Sequence, residues 1–182
     1  MNFCLWLTGL PGSGKSTIAR EVERLFTDAG LDFVTLPMDR IRKFVTPDPG
    51  YTEEERETVY RSLVFMAQLL VEHSGNNVLI DATGNRRVFR DLARECMPDF
   101  AEVYVKCPLE TCRSRETSRD SQNVEKNLYQ KAQAGELGGK MPGVSVPYEE
   151  PLHPDVLVES DCLTPRESAE KLMDYVQRRW EV

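Results

Sequence analysis

The residues G-L-P-G-S-G-K-S-T, from Gly9 to Thr17, fit the pattern G-x-x-x-x-G-K-[ST] of phosphate-binding loops. A short apolar run, Phe3 to Leu7, precedes them, and a segment with helical spacing of apolar residues, Lys15 to Ala29, follows. A strand, a glycine-rich turn and a helix in this order are the context in which such loops occur. The sequence therefore predicts a P-loop and, with it, the P-loop NTPase fold.

The chemistry of this loop explains each residue type. Glycines allow successive backbone N–H groups to turn inward around phosphate oxygens, and the positive end of the following helix points at the same anions. Lys15 is expected to meet the β- and γ-phosphate oxygens as a catalytic residue, and Ser16 to ligate Mg²⁺. The predicted ATP ligands here are Gly9, Pro11, Gly12, Ser13, Gly14, Lys15, Ser16 and Thr17.

Outward from the loop, short apolar runs alternate with helical patterns. Such alternation indicates an α/β fold, in which a mostly parallel sheet carries helices on both faces. At 182 residues the chain is long enough for one domain, so residues 1–182 are expected to form a single P-loop kinase domain. The further predicted strands are Phe33 to Leu36, Asn77 to Ile80, Ala101 to Cys107 and Asp155 to Glu159, and further helices are predicted to begin at Thr52 and Thr164.

Composition excludes several classes of protein. With 40% apolar and 29% charged residues, the chain has the composition of a globular protein, and no apolar run approaches the roughly 20 residues of a membrane helix. The N-terminus lacks the features of a signal peptide, so the cytoplasm is the expected location. A net charge of −7 makes nucleic acid an unlikely partner, and the five scattered cysteines do not suggest a zinc site.

The segment from Ser118 to Glu150 has no strand pattern and is rich in glycine and proline. A stretch of this length inside a small domain is typical of a lid or a disordered loop, so we predict a lid at about residues 118–150. Arg113, Arg115 and Arg119 lie where the lid leaves the core, and at least one of them is expected to cover the transferring phosphate. We assign this role to Arg115, as a further ATP ligand.

The class of P-loop protein is narrowed by what the sequence contains elsewhere. It has no N-K-x-D motif, which GTPases use to read guanine, and the strand ending at Asp81 continues with Ala82 rather than with the glutamate of many ATPase motors. A short chain with an N-terminal P-loop and an arginine-bearing lid favours a small-molecule or nucleotide kinase.

Acidic and basic residues follow the predicted strands. Asp39 and Asp81 lie at strand ends, where α/β sheets gather ligands. One of these carboxylates is expected to orient Mg²⁺ and the other to accept the proton of an acceptor hydroxyl, although Asp39 could instead cap a helical turn. Arg42 and Arg56 are predicted acceptor ligands, because arginine binds phosphate and sulfate with two parallel hydrogen bonds. Arg40 and Arg61 are weaker candidates.

With these residues in view, the chain resembles adenylylsulfate (APS) kinases over nearly its whole length. That family has a strand-end D-G-D-x-x-R motif followed by G-F-S-E-E-x-R, and its lid reads much like K-x-L-Y-K-K-A-x-A-G-E-I, then G-I-x-x-P-Y-E-x-P. The corresponding stretches here are Leu36 to Arg42 (L-P-M-D-R-I-R), Gly50 to Arg56 (G-Y-T-E-E-E-R), Lys126 to Leu137 (K-N-L-Y-Q-K-A-Q-A-G-E-L) and Gly143 to Pro151 (G-V-S-V-P-Y-E-E-P).

The resemblance implies a central five-stranded parallel sheet, a mobile lid and a homodimer. It also implies that ATP with Mg²⁺ phosphorylates the 3′-hydroxyl of adenosine 5′-phosphosulfate. By position, Asp39 would be the base and Arg42 and Arg56 would hold the phosphosulfate. Tyr51 would stack on the adenine of the acceptor, and Lys126 and Met141 would complete the acceptor site.

The sequence departs from the family mainly on the acceptor side. Pro37 and Met38 replace the Asp-Gly of D-G-D, Val59 stands where an acceptor-binding Asn is expected, and Met141 replaces a second stacking Phe. Thr83 to Arg86 replaces I-S-P-Y, and an insertion separates Arg115 from Leu128. A related kinase with another acceptor (a nucleotide-linked group, a polynucleotide end or a sugar) is therefore the alternative, followed by a non-catalytic nucleotide-binding subunit.

Overall fold

The computed structural model describes residues 2–50, 52–117 and 141–181. The strands are β1 (Cys4–Thr8), β2 (Phe33–Pro37), β3 (Asn77–Asp81), β4 (Phe100–Lys106) and β5 (Val156–Glu159). The helices are α1 (Lys15–Asp28), α2 (Met38–Val45), α3 (Glu53–His73), α4 (Arg87–Cys96), α5 (Leu109–Thr117) and, from Pro165 to Trp180, the last helix, which we number α6.

The five strands form one sheet in the order β2-β3-β1-β4-β5, and every pair of neighbours is parallel. In this register Asp81, the last residue of β3, lies opposite Leu7 of β1 on one side and Pro37 of β2 on the other. The ends of three strands, and the residues that follow them, therefore meet at one edge of the sheet. The predicted α/β fold with a parallel sheet is confirmed.

Strand β1 shows why both faces of the sheet are covered. Its residues are all buried, and successive side chains point to opposite faces. Leu5 and Leu7 pack with apolar residues of α1 and α6, whereas Cys4 and Trp6 pack with residues of α2, α3 and α4. A strand that is apolar throughout is what a sheet with helices on both sides requires.

Two helix starts follow the predicted capping chemistry. The Thr52 hydroxyl accepts a hydrogen bond from the Glu55 N–H, and Thr164 forms a reciprocal capping box with Glu167. Helix α2 is different, because its cap position is Pro37 and Asp39 lies inside its first turn. Asp39 therefore does not cap a turn, and its carboxylate lies near the positive end of the α2 dipole.

A buried ion pair joins α4 to the sheet. Arg90 is 1% exposed, and its Nε donates to Glu102 of β4. The two terminal nitrogens of Arg90 donate to the carbonyl oxygens of Gly84 and Glu149, the latter at 2.6 Å. The side chain thus holds together a strand, the loop after β3 and the segment that precedes β5.

We expect Arg90→Met to lower the free energy of unfolding by about 3 to 5 kcal/mol, because Glu102 would be left charged, buried and without its main partner. Arg94→Met is the matched control: Arg94 lies one turn later in α4, pairs with Asp155 at 2.7 Å and is 43% exposed, so its loss should cost about 1 kcal/mol or less. Urea denaturation of both variants measures the difference. Equal losses would contradict a special role for the buried pair.

Candidate active site

The P-loop connects β1 to α1 with glycines in conformations that other residues avoid. Gly12 and Gly14 have φ angles of 80° and 97°, and Gly14 takes the cap position of α1. A Cβ atom at Gly12 would collide with the carbonyl oxygen of Cys112, and one at Gly9 with that of Val105. The loop therefore packs closely against β4 and α5. Only glycine, which has no Cβ atom, allows so close an approach.

Lys15 is folded back over the loop. It is 8% exposed, and its Nζ donates to the carbonyl oxygens of Gly9 and Leu10, both at 2.9 Å. Ser16 is half-buried and Thr17 is exposed, both in the first turn of α1. The ammonium group thus lies against the backbone of the P-loop.

Arg115 lies beside the P-loop, on α5. One of its terminal nitrogens would be 3.8 Å from a Cβ on Gly14, and it donates to the Ser160 hydroxyl at 3.2 Å. The Ser160 hydroxyl in turn donates to the carbonyl oxygen of Ser13 at 2.7 Å. Sequence reasoning missed Ser160, although its position directly after β5, at the carboxyl edge of the sheet, was a usable signal.

Asp39 and Asp81 come together at this edge. Asp81 ends β3 and is half-buried, whereas Asp39 follows β2 by two residues and is exposed. The hydroxyl of Thr8, which ends β1, donates to the Thr83 carbonyl oxygen at 2.6 Å, so the loop after β3 begins next to the P-loop. Both predicted acids therefore lie at the edge of the sheet where β1 leads into the P-loop.

The two predicted acceptor arginines lie on neighbouring helices. Arg42 of α2 is 3.8 Å from Glu55 of α3, and Arg56 is 5% exposed. Burial, the largest cause, lowers the pKa of Arg56, and the positive charge of Arg42 lowers it further. The two arginines therefore influence each other's charge, and Glu55 lies beside Arg42.

Tyr60, one turn after Arg56 on α3, is the residue that sequence reasoning missed here. It is 3% exposed, and its hydroxyl accepts a hydrogen bond from the Gly84 N–H at 2.9 Å. Burial, the largest cause, raises the pKa of Tyr60, while the charges of Arg42 and Arg56 lower it and that of Asp39 raises it. The spacing of four residues from Arg56 on one helix was the signal that could have identified it.

The structure shows where the residues that differ from the family pattern lie. Met38 and Val59 are buried in the apolar cluster under α2 and α3. Gly84 and Asn85, in the loop that replaces I-S-P-Y, are also buried, and the Asn85 carbonyl oxygen accepts a hydrogen bond from the Glu149 N–H at 2.8 Å. Arg86, in the same loop, pairs with Glu53 of α3 at 3.3 Å.

The end of the predicted lid packs against the P-loop. Met141 is 5% exposed and packs with Cys107 and Cys112, with Leu10 of the P-loop beside this cluster. The Tyr148 hydroxyl lies 3.0 Å from the Thr8 hydroxyl. Tyr51 and Lys126, two of the predicted acceptor ligands, lie outside the described residues, as does the lid between residues 118 and 140.

No helix within residues 2–50, 52–117 and 141–181 has the length and apolar character needed to cross a membrane.

Relatives of known function resemble the chain over most of its length. The adenylyl-sulfate kinase of Halothermothrix orenii is 38% identical over 175 residues, which are 96% of this chain and 89% of the relative. The adenylyl-sulfate kinase of Rippkaea orientalis is 37% identical over 168 residues, which are 92% and 87% of the two chains.

Solved structures give the same result. The APS kinase of Mycobacterium tuberculosis, solved in complex with AMPPNP and APS, has a TM-score of 0.85 at 32% identity, with 97% of this chain and 98% of that chain covered. A sugar kinase from Janibacter has a TM-score of 0.67 at 21% identity, which shows a shared fold alone.

The sequence model of the family described as adenylylsulphate kinase matches residues 1–159. This range contains the P-loop, both strand-end acids and both acceptor arginines. The chain belongs to the adenylylsulphate kinase family.

Proposed function

We propose that the protein transfers the γ-phosphoryl group of ATP to the 3′-hydroxyl of adenosine 5′-phosphosulfate, producing the 3′-phosphorylated form. The observation that carries this proposal is the register in which β1, which leads into the P-loop, β2, which precedes Asp39, and β3, which ends at Asp81, end side by side. Membership in the adenylylsulphate kinase family supports the identity of the acceptor.

On the donor side, the backbone N–H groups of the P-loop and the Lys15 ammonium would hold the β- and γ-phosphates of ATP. Lys15 now donates to two loop carbonyl oxygens, and phosphate oxygens would replace these acceptors when ATP binds. Arg115, held by Ser160 beside Gly14, would add positive charge at the transferring group. Each of these charges stabilises the negative charge that shifts to the leaving ADP.

On the acceptor side, Arg42 and Arg56 would bind the phosphosulfate and so place the 3′-hydroxyl near Asp39. The hydroxyl oxygen forms a bond to the γ-phosphorus while the bond from that phosphorus to the bridging oxygen of ADP breaks. Asp39 would accept the hydroxyl proton as the base. Its exposed position leaves it accessible to an incoming substrate.

The donor set fits Mg²⁺, a hard cation that prefers oxygen ligands and is bound through one or two protein groups together with substrate phosphates. The Ser16 hydroxyl, with Asp39 or Asp81, would hold it. The described parts of the chain contain no group of three acidic, histidine or cysteine side chains that could hold a metal ion. When bound, the ion would neutralise charge on the phosphates.

The remaining parts of the proposal follow from the resemblance. Tyr51 would stack on the adenine of the acceptor, and Lys126 and Met141 would line its site. We further propose that the protein acts as a homodimer in the cytoplasm. Light scattering of the purified protein measures the assembly directly.

A coupled assay of ADP release against a panel of acceptors tests the proposed function. We expect APS to support turnover at least about a hundredfold better than adenosine, a sugar or an oligonucleotide with a free 5′ end, because those acceptors lack the phosphosulfate that Arg42 and Arg56 would bind. The departures at Met38, Val59 and Thr83 to Arg86 make a different acceptor the alternative. ADP release with another member of the panel but not with APS would establish that alternative.

A further inference from the structure

The side chain of Tyr60 is held in place by packing against neighbouring aromatic rings. Its ring stacks on Phe89 with centroids 4.3 Å apart and planes inclined by 12°, and it lies 6.2 Å from the ring of Trp6. These neighbours come from α4 and β1, so three elements fix the direction of the side chain. The hydroxyl at its end is consequently held in one position.

The Tyr60 hydroxyl contacts the loop after β3. It accepts a hydrogen bond from the Gly84 N–H at 2.9 Å, and this is the one hydrogen bond it makes within the described ranges of the chain. A phenol that accepts a hydrogen bond in this way keeps its own hydrogen for donation. Buried hydroxyl groups ordinarily find such a partner.

The position of Tyr60 on α3 indicates what the partner is. Tyr60 follows Arg56 by one helical turn and both residues are buried, so the two side chains share one face of the helix. An O–H group in this position would donate to the same anion that the two arginines bind. The expected partner of the Tyr60 hydroxyl is therefore an anion rather than a neutral group.

We propose that the Tyr60 hydroxyl is a third ligand of the acceptor's phosphosulfate group, donating a hydrogen bond to an anionic oxygen held by Arg42 and Arg56. This inference rests on the proposed function and deepens it.

Tyr60→Phe tests the proposal, because it removes the hydroxyl and keeps the stacked ring. We expect the KM for APS to rise about tenfold or more, with the KM for ATP unchanged, since a hydrogen bond to a charged group is lost. Tyr175→Phe is the matched control: the Tyr175 hydroxyl also makes one side-chain contact, to Asp155 at 3.5 Å, but it lies on α6 on the opposite face of the sheet. Its KM values should equal those of the wild type.

A second measurement separates a ligand from a residue that only supports the Gly84 loop. Adenosine 5′-monophosphate and adenosine are compared as inhibitors competitive with APS. A lost ligand to the anion weakens inhibition by the monophosphate and leaves that by adenosine unchanged, whereas a disturbed loop weakens both equally. The second pattern, or an unchanged KM for APS, would overturn the proposal.

The wild-type assay keeps the two proposals apart. If wild-type protein phosphorylates APS and Tyr60→Phe behaves like it, the inference about Tyr60 is wrong and the proposed function stands. If wild-type protein does not phosphorylate APS, the proposed function fails and the inference falls with it.

Discussion

Lys15→Ala is expected to reduce phosphoryl transfer by about a thousandfold or more, which in a standard assay is complete loss. The Lys15 ammonium is buried at the P-loop and held by two carbonyl oxygens at 2.9 Å, where it can exchange them for phosphate oxygens without moving far. In the alanine variant this positive charge no longer stabilises the ADP that leaves. Steady-state ADP release at saturating ATP and APS is the measurement.

The control for this variant is Lys171→Ala, an exposed lysine on α6. It should retain wild-type activity, because its side chain is exposed on α6 and is not part of the loop. Thermal unfolding of both variants shows whether the fold is kept, as we expect, since alanine suits the first turn of a helix. Activity of Lys15→Ala near that of the wild type would make the P-loop assignment untenable.

Asp39→Asn is expected to lower kcat by about 10² to 10⁴-fold, the usual cost of losing a general base. The amide keeps the size of the side chain and its place in the first turn of α2. The KM for ATP should change little, because the P-loop is untouched. Single-turnover measurements with excess enzyme report this step directly.

Two further variants complete the experiment on Asp39. Asp91→Asn, an exposed acid on α4, is the matched control and should retain wild-type kcat. Asp81→Asn distinguishes the two strand-end acids. An unchanged kcat for Asp39→Asn together with a large loss for Asp81→Asn would transfer the role of base to Asp81.

Several features were predictable because they depend on neighbouring residues. The P-loop needs glycines at fixed spacing, and Gly12 and Gly14 have the positive φ angles that its pattern implies. Thr52 and Thr164 cap their helices, as the residues after each of them indicated. Apolar runs in the sequence predicted that β1 and its neighbours are buried strands. Their alternation with helical patterns predicted the parallel sheet.

Other helices escaped prediction because their apolar faces are narrow. Helix α4 buries Phe89 and Ala93 but also Arg90, so a charged residue stands where a sequence reading expects an apolar one. Helix α2 buries Met38 and Ile41 in a segment that otherwise carries mostly charge. In both cases the tertiary partner of the helix, rather than its own pattern, makes it stable.

The P-loop was local information, since one short loop and the first turn of one helix contain its whole motif. The acceptor site was not, because its groups come from distant parts of the chain. Tyr60 meets Gly84 only because the loop after β3 packs over α3, and Ser160 meets Ser13 only because the last strand returns to the edge of the sheet. The order of the strands brings together partners that are far apart in sequence. Neither hydrophobic periodicity nor residue spacing predicts that order.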